Sequence, residues 1–388
     1  MTDRIRVVIV DDSALVCRLL TKILERDSAI QVVGTAHNGH DAIRMVSELR
    51  PNVVTMDVQM PGMDGLETTE HLMAFCPTPI LVISATLHSR EVDVTFKMLG
   101  AGALEVVEKP GGSDIAALER AGNDLIRRIK VLSRVKVVTH LRGRRRSGAR
   151  QEQPKMQTPT VEHSLHPVYV PPPVQPVIRQ VAQSQNTDRL RPMPLIVIGA
   201  STGGPRVVHR ILSDLPADLP AALVIVQHIA EGFSDGMAEW LGASCKLRVS
   251  VAKEGHMPQV GEVLTVPDQH NLIFSADGHI RLTQSPILLQ QPSVDITMQS
   301  AADIFDQYAI GVLLTGMGRD GAHGLLAIRR HRGYTIAQDE ASCAIYGMPR
   351  AAVQLGAAQE SLTPAQIGPR LVMLARRMAS EISDVSLC

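Results

Sequence analysis

The sequence predicts an α/β protein of two domains, each built on a mainly parallel sheet. Three observations carry this. Residues 1–132 alternate five short apolar runs with amphipathic segments. That alternation stops across 133–193, where the composition turns basic and proline-rich. Apolar runs resume in 194–388, and several of them end in a residue that can do chemistry. Strands bridged by helices give a parallel sheet covered on both faces, so the first domain is expected to be a (βα)5 unit and the second a doubly wound sheet.

In the first domain, strands are expected at Arg6–Val10, Val32–Ala36, Val53–Asp57, Ile80–Ser84 and Leu104–Val107. Between the first two, Ala14–Leu24 places apolar residues at three- and four-residue spacing, a helix with one buried face. Asp11 and Asp12 follow the first strand, Asp57 ends the third, Ser84 ends the fourth, and Lys109-Pro110 follows the fifth. Neighbouring strand ends of such a sheet meet at one edge. Three carboxylates gathered there repel one another unless a cation neutralises them, and hard oxygen ligands favour magnesium. A metal, a lysine and a hydroxyl around one carboxylate suit phosphoryl transfer to that carboxylate. A single aspartate here would more often be a turn residue or a helix cap; the joint occurrence at four strand ends is what points to chemistry.

The segment 133–193 contains Arg142-Gly-Arg-Arg-Arg-Ser-Gly and Pro171-Pro-Pro173, and Arg127–Arg150 holds no carboxylate. This is tether composition. The sharper alternative is an electrostatic contact with an acidic partner or an anionic membrane surface.

The second domain opens on Leu195-Ile-Val-Ile-Gly-Ala-Ser201-Thr-Gly-Gly-Pro205. The apolar run breaks at Gly199, and a hydroxyl follows at Ser201. A strand-to-helix turn exposes that hydroxyl at the carboxyl edge of the sheet and aims unpaired N–H groups at whatever it attacks. Serine needs a base and an orienting group. His228 follows the run Leu223-Val-Ile-Val-Gln227, and Asp320 follows Gly311-Val-Leu-Leu-Thr315. A hydrolase is the leading reading. The order Ser, His, Asp differs from that of α/β-hydrolases, but a triad is defined by geometry and role. The alternatives are a phosphate- or dinucleotide-binding turn, which here lacks G-x-G-x-x-G and a Walker lysine, and an ordinary buried histidine at 228. Asp277-Gly278 between two apolar runs predicts an antiparallel hairpin at a sheet edge.

Bulk properties narrow the function. Lys plus Arg and Asp plus Glu both number 39, so nothing global points to nucleic acid or membrane. Aromatics at 3% do not supply a stacking surface for single strands. The odd cysteine count, 5, fits free thiols in a reducing compartment. The chain starts straight into a strand, with no apolar leader and no run long enough to span a bilayer, so a cytoplasmic protein is expected, without membrane insertion. A monomer is the expected state.

The motifs Val10-Asp-Asp-Ser13, Met56-Asp-Val-Gln-Met-Pro-Gly-Met-Asp-Gly65, Ser84-Ala-Thr and Glu108-Lys-Pro110 resemble the receiver domain of two-component response regulators. The resemblance implies phosphorylation at Asp57, magnesium held by Asp12, Asp57 and the Gln59 carbonyl, and Asp11 acting through water. It also implies Lys109 on the phosphoryl group and Ser84 as switch hydroxyl. Val106 stands where the family usually carries an aromatic that reorients on activation, so the coupling is expected to differ in detail.

Ile198-Gly-Ala-Ser-Thr-Gly-Gly-Pro205, Val226-Gln-His-Ile, Pro292-Ser-Val-Asp295, Leu314-Thr-Gly-Met-Gly-Arg-Asp-Gly321, Thr335-Ile-Ala-Gln-Asp-Glu340 and Tyr346-Gly-Met-Pro349 resemble the catalytic domain of the CheB chemotaxis methylesterases. The resemblance implies that Ser201 attacks a glutamyl methyl ester, His228 relays the proton and Asp320 orients His228. Thr202, Gly203 and Met317 would surround the oxyanion. The same machinery would deamidate glutamine, and no cofactor is implied for the ester chemistry. Substrates would be methyl-accepting chemotaxis receptors, and the phosphodonor a chemotaxis histidine kinase. Ile229-Ala-Glu-Gly-Phe233 and Glu239-Trp240-Leu241 depart from the usual pattern, which bears on substrate choice. The expected control is obstruction, with the receiver packed over the Ser201 edge. Two other classes compete: a DNA-binding output domain, for which no helix-turn-helix or basic face is seen, and a catalytically idle binding module.

Overall fold

The computed structural model describes residues 4–84, 89–111, 115–137, 193–286 and 291–385. The first domain contains β1 (Ile5–Val10), α1 (Ala14–Leu24), β2 (Ile30–Ala36), α2 (Gly39–Leu49), β3 (Val53–Asp57), α3 (Gly65–Phe75), β4 (Ile80–Ser84), α4 (Ser89–Ala101), β5 (Glu105–Glu108) and α5 (Ile115–Leu132). Every residue of β3 and β4 is buried, as expected of inner strands covered on both faces. Polar residues set the helix starts: the side chains of Ser13, Asn38 and Asp64 accept from Val16 N, Asp41 N and Glu67 N. The parallel sheet runs β2-β1-β3-β4-β5. Because β1 and β3 are neighbours, their acidic ends share one edge, with those of β4 and β5 alongside.

The second domain follows with β6 (Leu195–Ala200), α6 (Gly204–Asp214), β7 (Ala222–Gln227), α7 (Ser234–Gly242), β8 (Arg248–Val251), β9 (Glu262–Thr265), β10 (Asn271–Phe274), β11 (Ile280–Thr283), α8 (Val294–Phe305), β12 (Ala309–Leu313), α9 (Ala322–Arg330), β13 (Tyr334–Gln338), α10 (Met348–Gln354), β14 (Glu360–Leu362) and α11 (Pro364–Val385). Seven strands form a parallel sheet ordered β14-β13-β12-β6-β7-β9-β8. The chain starts at the central β6, builds outward through β7, and later returns to β6's other side at β12. The ends of β7, β6 and β12 therefore converge where the strand order reverses, the usual place for a site in an open α/β sheet.

The expected hairpin forms with its turn at Asp277-Gly278, where Gly278 adopts φ +85°. It pairs with itself, Asn271 opposite Thr283 through Phe274 opposite Ile280, as a separate two-stranded sheet and not as a ladder on the main sheet's edge. The reason lies in α8. Ser300 Oγ accepts from Phe274 N (2.7 Å), Thr297 Oγ1 donates to the Leu272 carbonyl (2.9 Å), and Phe274 meets Phe305 edge-on at 5.0 Å. Those bonds occupy backbone groups of β10 that a sheet neighbour would need.

Helix α4 of the first domain packs on α7 of the second. Phe96 is fully buried, edge-on to Phe233 (6.3 Å) and stacked on Trp240 (5.6 Å). A Cβ on Gly236 would come within 1.8 Å of Val92 Cγ1, so α7 offers glycine where α4 crosses it. The tether reading and its charged alternative fall on residues of which 138–192 lie outside the described part of the chain.

Candidate functional site

Strand β6 is buried along its whole length. A Cβ on Gly199 would lie 2.2 Å from Val294 Cγ1, so only glycine lets β6 approach the start of α8 so closely. The chain then turns at Ser201. Ser201 N donates to Thr315 O (3.0 Å), tying the end of β6 to the segment after β12, and Gly204 N donates to Ser201 O (2.8 Å). Gly203 adopts φ +75° as the N-cap of α6, a left-handed conformation that disfavours any side chain. On the other side, His228 N donates to Ala200 O (3.0 Å), so the histidine begins level with the serine turn.

His228 Nε2 lies 2.8 Å from Asp320 Oδ2. Asp320 is held in turn by the N-terminus of α8: Ser293 Oγ (3.0 Å) and Asp295 N (3.0 Å) donate to Oδ1, and Val294 N (2.8 Å) donates to Oδ2. Burial works against its charge. The bond to His228 and those backbone N–H groups nevertheless keep the carboxyl below the usual carboxylate range. Since Nε2 is committed to Asp320, Nδ1 is the nitrogen left to take a proton, and it is buried with no hydrogen-bond partner among the described residues. Ser201, Thr202, His228 and Met317 line one cavity of about 300 Å³. Ser201 and His228 thus share one space beyond the ends of β6 and β7, and Asp320, in the segment after β12, reaches it through its bond to His228. Met317 joins them only as a cavity wall.

Four supporting residues had no role assigned from sequence. Gln227 bonds the carbonyls of both Ser201 and His228, Ser293 and Asp295 steady Asp320, and Gln338 Oε1 accepts from Thr315 N (2.9 Å). Their signal was present as segments around 226–229, 292–295 and 335–340, without a chemical reason to single out one residue.

The first domain assembles its own pocket. Ligand oxygens of Asp11, Asp12 and Asp57 lie within 4.8 Å of one another. Lys109 Nζ bridges Asp11 Oδ2 (2.7 Å) and Asp57 Oδ1 (3.1 Å), and Lys109 N donates to Ser84 O (2.7 Å). Burial pushes the Asp57 carboxyl up to about 6, with Lys109 opposing and Asp11 reinforcing the rise. Three carboxylates crowded this closely, offering only hard oxygen, fit a divalent cation such as magnesium. Gln59 sits exposed in the loop two residues after Asp57.

The first domain reaches the serine turn through the start of β5, the end away from Lys109. Gly203 N, at the serine turn, donates to the Leu104 carbonyl of the first domain (2.9 Å). Thr202 Oγ1 donates to Glu105 Oε2 (2.8 Å), and Glu105 pairs with Arg128, which also holds Asp124. Leu99, Leu104, Glu105, Val106 and Arg128 complete the wall of the Ser201 cavity. In this conformation the first domain is the lid of the serine site.

Comparison with known proteins bears on both halves. The response regulator receiver domain profile matches residues 7–137, and the CheB methylesterase profile matches 196–371. A protein-glutamate methylesterase/protein-glutamine glutaminase of Symbiobacterium thermophilum is 39% identical over 368 residues, covering 93% of this chain and 96% of that protein. One from Methanospirillum hungatei is 38% identical over 374 residues, covering 96% and 99%. The chain belongs to the CheB methylesterase family. The CheB methylesterase catalytic domain of Thermotoga maritima is 35% identical, with a TM-score of 0.46, covering 47% of this chain and 98% of that one. Within this CheB family member, Val106 at the usual aromatic position is buried and borders the cleft between the domains. The unusual Trp240 lies on the same interface, stacked between Phe96 and His209 (4.4 Å). Among the described residues, no helix is long and apolar enough to cross a membrane.

Proposed function

We propose that this chain is a phosphorylation-controlled protein-glutamate methylesterase and protein-glutamine glutaminase acting on methyl-accepting chemotaxis receptors in the cytoplasm. Its parts are a receiver (1–132), a basic tether (133–193) and a catalytic domain (194–388). The observation that carries the reading is the His228–Asp320 bond at strand ends on either side of Ser201.

Ser201 Oγ attacks the ester carbonyl while His228 Nδ1 takes its proton. Asp320, on the opposite ring nitrogen, fixes the tautomer and stabilises the imidazolium. Negative charge on the tetrahedral oxygen falls beside the Gly203 N–H and the Thr202 hydroxyl, the donors now engaged by Leu104 and Glu105. The imidazolium returns its proton to the departing methoxide, giving methanol and a glutamyl-serine ester. A water, deprotonated by the same nitrogen, attacks that ester; glutamate leaves and Ser201 recovers its proton. A glutamine amide follows the same path with ammonia as the leaving group.

In the receiver, Asp57 accepts the phosphoryl group from a histidine kinase. Asp12, Asp57 and the Gln59 carbonyl would hold magnesium, which neutralises the crowded oxygens. Ser84, at the end of the neighbouring β4, and Lys109, just after β5 and already paired with Asp57, would contact the added phosphoryl oxygens. Phosphorylation lifts the lid, exposing donors that the closed state occupies.

Methanol release from methylated receptor membranes tests this, with intact protein and Ser201→Ala, each with and without a small-molecule phosphodonor. Release stimulated by the donor and lost in the variant is expected. Equal release from Ser201→Ala would end the serine reading.

A further inference from the structure

Strand β7 is apolar from Ala222 to Val226, and its last residue, Gln227, is a buried amide, 2% exposed. Its Nε2 donates to the Ser201 carbonyl (2.9 Å) and to the His228 carbonyl (2.9 Å). One amide nitrogen thus spans the backbone of the nucleophile and the backbone of the base. The opposite amide orientation would set its oxygen against two carbonyls, so the assignment follows from the neighbours. Its own oxygen, Oε1, is buried with no hydrogen-bond partner among the described residues. A buried acceptor left unsatisfied destabilises the fold, whereas an apolar side chain of similar shape would avoid that cost. The group therefore looks chosen for its donors. The amide also fills the space beneath the serine turn: a Cβ on Gly204 would come within 2.5 Å of Gln227 Oε1 and 2.6 Å of Ala200 Cβ.

We propose that Gln227 is a positioning residue for the Ser201–His228 reaction, clamping the two strand ends so that Oγ and Nδ1 meet at bonding distance and the Gly203 N–H stays aimed at the developing oxyanion. The proposal rests on Ser201 as nucleophile. Gln227 touches no reacting atom; it fixes the backbone from which two of them project. Displacing a reacting group by about 1 Å costs roughly a hundredfold in rate, so loss of the clamp is expected to lower turnover by about 10- to 100-fold.

The test uses the full chain, activated by a small-molecule phosphodonor, and a fluorophosphonate probe that reacts with a base-activated serine without needing a receptor. Gln227→Met keeps the volume and removes both donors; Gln227→Glu keeps the shape and removes at least one. Both are expected to be labelled at Ser201 about 10- to 100-fold more slowly. On receptor membranes kcat should fall by a similar factor, with KM within twofold and the thermal midpoint within a few degrees of the parent. Labelling of Gln227→Met at the parent rate would overturn the clamp. A fall in kcat that merely tracks lost thermal stability in both variants would overturn it too, leaving a structural role. If the parent itself takes no label at Ser201, the nucleophile reading fails, and that outcome is distinct from either.

Discussion

Replacing Glu105 with alanine is expected to raise the unphosphorylated esterase rate about tenfold. The closed state buries the Thr202 hydroxyl against Glu105 Oε2 at 2.8 Å, in a carboxylate whose side chain is 16% exposed. A hydrogen bond to a charged group is worth about 1.5–3 kcal/mol when buried, and the partial exposure here argues for the lower end. Every ~1.4 kcal/mol is tenfold in an equilibrium constant, so weakening closure by that much multiplies the open fraction, and with it the rate, by about ten. Arg128 keeps its Asp124 partner in the variant, so no buried charge is stranded. The assay is methanol release without phosphodonor. The ceiling is set by a chain lacking residues 1 to about 140, which is expected to be faster than the intact unphosphorylated protein. Were Glu105→Ala to stay at the parent's basal rate while the truncation ran faster, Glu105 would not be a closing contact. If the truncation were no faster either, obstruction itself would fail.

Three further outcomes are expected. Asp320→Asn should lower kcat by roughly a thousandfold or more with little change in KM, because the tautomer and the imidazolium both depend on that carboxylate; a kcat within tenfold of the parent would remove Asp320 from the mechanism. Asp295→Asn should stabilise the protein at pH 7 to 8 but not near pH 4. Burial, and then the Asp320 charge, push the Asp295 carboxyl up to about 6 from 3.8. A carboxyl raised on folding contributes most below about pH 4 and loses that contribution as pH climbs through 6. The ceiling is roughly 3 kcal/mol at about 1.4 per tenfold change in proton affinity, and asparagine keeps an acceptor for Gly324 N. A pH-independent difference in denaturant midpoint would refute that account. Chelation of divalent cations, or Asp57→Asn, should abolish stimulation by phosphodonor while leaving basal methanol release within twofold; persisting stimulation would place the phosphate elsewhere.

Much of this was legible in the sequence because chemistry-bearing residues sit directly after apolar runs. Five first-domain strands fall within two residues of where hydrophobicity places them, and α1 spans Ala14–Leu24 as its spacing requires. Ser201, His228 and Asp320 share an edge because β7, β6 and β12 are neighbours, an adjacency that motifs suggest but periodicity does not encode. The hairpin's partner was not legible: whether β10 bonds a sheet edge or a helix depends on Thr297 and Ser300, whose hydroxyls have no sequence signature. Nor was the contact of Leu104 and Glu105 with the serine turn, since pairing between domains leaves no local pattern.

The lid has two attachments of different character, and the single tryptophan can tell which one yields. On one side, Leu104 and Glu105 hold the serine turn by two hydrogen bonds. Water can replace both, so releasing them costs about 0.5–1.5 kcal/mol for the neutral one and somewhat more for the charged one. On the other side, fully buried Phe96 lies against Phe233 and Trp240. Exposing a side chain of that size costs about 1.5–3 kcal/mol, and separation would expose several. Phosphorylation is therefore expected to give access at least cost by tilting the receiver about the α4–α7 contact, which would free the β5 side and keep the aromatic cluster. Trp240 is the only tryptophan in the chain, so its emission reports that cluster alone. A tilt predicts emission unchanged within a few nanometres when phosphodonor raises activity. A pronounced red shift and new quenching by iodide would mean that the domains part completely.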